Sequence, residues 1–123
     1  ALMIVRDGAA TGNLLTCDVV GAVSQRAARN IGRSIVNSIL VRKGIFGVEP
    51  RVGRIVMAVG KAGERAERDL LSISIGEVLV AKAGETLANF DEGAVISHLK
   101  SNRVHFTIDI GLGRGKARVW SAL

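Results

Sequence analysis

The chain has 123 residues, 48% of them hydrophobic and 3% aromatic, with 17 Lys and Arg against 11 Asp and Glu for a net charge of +6. One domain of this size buries roughly two-thirds of its unfolded surface, so an aliphatic core is within reach. A single cysteine rules out an internal disulfide and points to a reducing, cytoplasmic setting, and no apolar run approaches the ~20 residues of a membrane span.

In chain order, ALMIV (1–5) reads as the last turns of a helix, and the chain opens on Ala1 rather than Met. MIVRDGAATGN (3–13) follows, a flexible turn beside Arg6 and Asp7 that has the composition of a loop holding a small polar ligand. NLLTCDVVG (13–21) alternates Leu15, Cys17 and Val19 against Thr16 and Asp18, the period of a half-buried strand. Ser24 is an N-cap for a helix to about Val41, with Ala27 or Ala28, Ile31, Ile35 and Ile39 buried and Arg26, Arg29 and Arg33 outside. Arg42, Lys43 and Gly44 suit its C-terminus. A second helix starts behind Pro50, carries Val52, Ile55, Val56 and Val59 on one face and ends at Gly60.

GERAERD (63–69) reads as a solvated connection. LLSISIG and EVLVAK (70–82) read as two strands around a tight turn at Gly76. Asp91 caps a short helix to Lys100, with Phe90 stapled onto Val95. RVHFTIDIG (103–111) puts Val104, Phe106, Ile108 and Ile110 on one face, and GKARVWSAL (115–123) is expected to pair back on it across a glycine turn. The order β-α-α-β-β-α-β-β predicts a single α/β layered domain, 1–123, with a mixed sheet and helices packed on it. The strand-like run ends at Leu123, and both ends read as cut from something longer.

Motif by motif, little of this is chemistry. GLGRGK (111–116) has the glycines of a phosphate loop. They lie between two strands rather than at a helix start, and Ala117 stands where Ser or Thr is needed, so a turn is favoured. His98, His105 and Cys17 show no zinc spacing; the histidines read as surface or half-buried residues, and Cys17 as a small core side chain. No Ser or Thr has a recognisable base. The positive charges run from Arg6 to Arg118 with acids interleaved, and Phe46, Phe90, Phe106 and Trp120 form no basic-aromatic cluster, which ranks a nucleic-acid partner last. Spacing alone names no catalytic residue, metal or cofactor.

Read in order, IVRDGAATGN, SIVNSILVRKGIFG, EPRVGRIVMAVGKAG and TIDIGLGRGKARVW resemble the C-terminal (β-chain) portion of the ornithine acetyltransferase family, the bifunctional glutamate N-acetyltransferases of arginine biosynthesis. The resemblance implies acyl transfer by an N-terminal Thr that is freed by self-cleavage, takes acetyl from N-acetylornithine and passes it to glutamate. That Thr and the oxyanion residues belong to a part preceding Ala1, so the implied partner is the upstream α-chain or N-terminal β-chain portion, or a second copy, in a homo- or hetero-oligomer. The implied substrate-binding loop is Arg6, Asp7, Gly8, Ala9 and Thr11. Ala9 stands where the family has a Glu that recognises the charged end of the amino-acid substrate, a loss worth ~1.5–3 kcal/mol of charge-assisted contact. Asn13 stands at a family Lys, and Arg51-Val52 replaces Asn-Trp. Three readings stay open: a section of such an acyltransferase, inactive alone; a non-catalytic interaction or oligomerisation module derived from it; and, well behind, a basic nucleic-acid-binding domain.

Overall fold

The structure is a computed structural model and describes residues 14–41 and 48–122. The loop at 6–11, the helical reading of 1–5 and the cap at 42–44 lie outside the described residues. Among those residues the chain runs β1 (Leu14–Ala22), α1 (Gln25–Val41), α2 (Val48–Lys61), a 3-10 turn (Arg68–Leu70), β2 (Ser72–Ile75), β3 (Val78–Lys82), β4 (Glu85–Thr86), α3 (Glu92–Leu99), β5 (Arg103–Asp109) and β6 (Gly115–Ala122). This is the expected α/β order with one two-residue strand added. The sheet is mixed, with strand order β4-β3-β2-β5-β1-β6.

Local chemistry sets most of the boundaries. Ser24 Oγ accepts from the backbone N–H of Ala27 at 3.0 Å, and Asp91 Oδ1 accepts from that of Ala94 at 3.0 Å, so both predicted N-caps hold. The second helix differs at both ends. It begins at Val48, placing Pro50 inside the first turn, where a missing N–H costs nothing. It also runs past Gly60 to Lys61, and the left-handed residue that turns the chain away is Gly63, with φ +75°. β2 and β3 meet across Gly76-Glu77, with the glycine first and at φ +61°. Ala83 and Gly84, both at positive φ, form the next turn.

One expectation fails. β6 does not pair back on β5. β1 lies between them, parallel to β5 (Cys17 opposite Phe106) and antiparallel to β6 (Cys17 opposite Val119). The glycine segment 111–115 therefore crosses the end of β1 instead of making a tight turn. Leu112 and Gly113 both donate their N–H groups to the Gly21 carbonyl at 2.8 Å. Gly21 itself sits at φ +71°, and a Cβ there would lie 2.8 Å from the Gly111 nitrogen. Turn rules weigh only neighbours in sequence, and the competing pair here is a strand about 100 residues away.

α1 lies across β1 and β6 and against α2. A Cβ on Gly32 would stand 2.7 Å from a Val119 methyl, so glycine lets α1 seat directly on the sheet. Beneath the helices, Leu15, Cys17, Val19, Ile73, Ile75, Phe106 and Ile108 are fully or almost fully buried, joined by Ile31, Ile35 and Ile55 from α1 and α2. The core is aliphatic around one phenylalanine, as composition required.

Candidate functional site

The alternate residues of the same strands build the opposite face. Thr16 and Asp18 of β1, His105 and Thr107 of β5, Ser72 and Ser74 of β2, and Lys116, Arg118 and Trp120 of β6 lie at register positions away from the helices, half-buried or exposed. Asp18 is the centre of this face. Arg118 lies directly across from it and donates Nε–H to Oδ1 at 2.6 Å and Nη2–H to Oδ2 at 2.9 Å, a bidentate clamp. His105 Nε2 lies 2.8 Å from Oδ2. The Arg118 hydrogen bonds, ahead of those from His105, hold the Asp18 carboxyl below its usual range against the opposing effect of partial burial, and the same pair raises the Arg118 pKa.

A second histidine sits behind the first. His98, near the end of α3, accepts the backbone N–H of His105 on Nε2 at 2.8 Å, and its ring lies over Gly76. It ties α3 to the β2–β5 end of the sheet. A shallow cleft of about 290 Å³ lies beside the cluster, lined by Asp18, Val20, Lys116 and Arg118.

What this arrangement can do is bind and orient. A carboxylate whose oxygens are both held by Arg118 is a weak base, and no described hydroxyl donates to His105. Cys17, the neighbour of Asp18, faces the core, where burial pushes its thiol up to about 12, ahead of the adjacent Asp18 charge. It is no nucleophile in the folded chain. Among the described residues no group of three His, Cys, Asp or Glu side chains could hold a metal ion, and no helix is long and apolar enough to cross a membrane. The expected loop residues Arg6, Asp7, Gly8, Ala9 and Thr11 lie outside the described residues, as does Asn13, which leads into β1. The Asp18–His105–Arg118 cluster was missed in sequence; alternation puts these residues on outward faces, but only strand order brings them together.

An α/β domain with helices on one face of a mixed sheet and a polar, charge-paired second face defines a class, and comparison with known proteins narrows it. The ArgJ family model matches residues 1–122. The arginine biosynthesis bifunctional protein ArgJ of Zymomonas mobilis is 47% identical over 121 residues, covering 98% of this chain and 30% of its own length; that of Gluconobacter oxydans is 46% identical, with 98% and 28% covered. The crystal structure of the ArgJ of Bacillus halodurans superposes with a TM-score of 0.81 at 28% identity, over 98% of this chain and 56% of the solved one. The chain belongs to the ArgJ family, and it spans under a third of the length of the curated relatives it matches.

Proposed function

We propose that this chain is a scaffold and substrate-loop section of an ornithine acetyltransferase of arginine biosynthesis, acting only with the remaining portion of that enzyme. The observation that supports it most strongly is the match along 98% of the chain to proteins named for arginine biosynthesis, of which it covers about 30%. In this reading the nucleophilic Thr and its oxyanion donors come from the rest of the enzyme, and the acetyl group passes from N-acetylornithine to glutamate through a covalent acyl-Thr. The chain contributes the strand β1, which carries the loop Arg6–Thr11 at its start, and the rigid sheet that fixes where that loop stands. The Asp18–Arg118 clamp and His105 brace β1 between β5 and β6, so these residues are positioning groups for the loop.

Ala9 departs from the family pattern at the position expected to recognise the amino-acid substrate. Without a carboxylate at this position the site loses its grip on a cationic amino-acid end, by about 10–150-fold for a contact of ~1.5–3 kcal/mol. The pure 123-residue chain is expected to show no acetyl transfer, and the chain joined to the rest of a relative is expected to restore it. Ala9→Glu in the joined enzyme then raises the rate with N-acetylornithine. Turnover by the isolated chain contradicts the first expectation, and an Ala9→Glu enzyme no faster than the parent contradicts the second.

The interaction-module reading keeps one observation in its favour: the open face pairs its own charges, as a surface prepared for contact does, and carries Trp120 at 40% exposure. It predicts that the joined enzyme assembles yet transfers nothing.

A further inference from the structure

We infer that the outer face of α2, with the groove beside it, is where the remaining portion of the enzyme packs against this chain. The inference rests on the reading above that such a portion exists. Gly53 stands in the interior of α2 and Gly60 near its end, and neither has a positive φ. A Cβ at either position would meet no described atom within 4 Å. Among the described residues nothing calls for glycine there, while a helix interior carries a cost of about 0.8–1 kcal/mol for choosing it over alanine.

Glycine at such a site makes sense when another backbone comes close. Met57 lies between the two at the i, i+4, i+7 spacing of one helix face, 53% exposed, and Pro50 extends the same face by a turn. Arg54, one turn after Pro50 and one turn before Met57, and Lys61, one turn after Met57, border this face. Beside Gly53 the face opens into a groove of about 530 Å³, bounded by Val52 on the helix side and by Arg68, Gly84, Glu85, Thr86 and Leu87 across from it. A flexible methionine beside a groove of mixed polarity is an adaptable contact surface.

The occupant is a segment of the same enzyme and not a second copy. The curated relatives have about 70% of their length outside the match, and the solved relative 44% (100% less the 56% covered), so the mass to cover this face is present in each.

The test places Met57→Cys in the isolated chain and in a full-length polypeptide that joins this chain to the remaining portion of the Zymomonas mobilis relative, then measures alkylation rates. The one native cysteine, Cys17, is buried and silent. Fast labelling in the isolated chain and labelling at least ten-fold slower in the joined protein is the expected result, with Arg33→Cys on the exposed side of α1 labelled equally in both. Equal rates at position 57, or protection already present in the isolated chain, overturn the inference. Acetyl transfer is read in the same preparations: transfer with an unprotected Cys at 57 sinks this inference and leaves the proposed function standing, whereas protection without transfer does the reverse. Should the joined protein fail to fold, Gly53→Ala in the isolated chain still decides. It raises Tm by about 3–5 °C if the glycine serves only an outside partner, and a fall in Tm shows that it serves this domain and overturns the inference.

Discussion

The two faces of the sheet share every strand and differ in nearly everything else. Leu15, Cys17 and Val19 point under α1 and α2 and are sealed from water; Thr16 and Asp18, one residue away each time, point outward, and Asp18 bonds there to Arg118 and His105. The covered face holds the domain together through burial at roughly 25 cal/mol per Å² of apolar area. The open face contributes little stability, because a salt bridge whose arginine is 54% exposed is screened by water. What the open face supplies is register: Asp18 ties β1 to β5 through His105 and to β6 through Arg118. Core and surface network are written on alternate residues of the same strands.

That contrast can be broken in graded steps. Phe106→Ala, on the covered face, removes the largest fully buried side chain among the described residues and is expected to cost about 3–5 kcal/mol in urea unfolding. Gly21→Ala, at the crossing of the glycine segment over β1, forces a Cβ against backbone at positive φ; about 2 kcal/mol is expected, with the loss confined to β1, β5 and β6 in amide exchange. Asp18→Asn, on the open face, should cost only about 1 kcal/mol at neutral pH, since the clamp is partly solvated. Thr107→Val, also outward, should stay within about 0.5 kcal/mol. A Thr107→Val cost comparable to that of Phe106→Ala would show the open face to be core.

The open face also has a pH signature. The folded Asp18 pKa lies below its ordinary value of 3.8, so the carboxylate's contribution is fully present above that value and is lost as pH falls through the folded pKa. Wild type should therefore lose its advantage over Asp18→Asn between roughly pH 4.5 and the lower folded value. Denaturation midpoints of the two proteins across that range measure it. On the covered face, the Cys17 thiol pushed up to about 12 should react with alkylating agents at pH 8 only at the rate of global unfolding.

How much of this was legible in the sequence follows the same division. Alternation in LLTCDVV and RVHFTID placed every covered residue, because burial on one face imposes a period of two wherever the strand lies in the sheet. Ser24 and Asp91 announced their helices because an N-cap is a contact over three residues. Strand order was not legible. β1 enters between β5 and β6 because its apolar face matches both and the glycine segment can cross its end, a fact that no local rule contains. The Asp18–Arg118 clamp spans 100 residues and the Asp18–His105 contact 87, so neither could be read before the order was known. Gly60 misled for a related reason: it looked like a helix stop, whereas Gly63 holds the left-handed position. The segment Arg6–Thr11, singled out by its composition and by family pattern, lies outside the described residues.

Under the proposed function this chain frames an acyl-transfer site that the remaining portion of the enzyme completes. The most direct measurement is acetyl transfer from N-acetylornithine to glutamate, made in parallel on the pure 123-residue chain and on the chain joined to the remaining portion of the Zymomonas mobilis relative. The account predicts none from the first and turnover from the second, raised by Ala9→Glu. Turnover by the isolated chain, or none from a folded joined enzyme even with Glu at position 9, would contradict it.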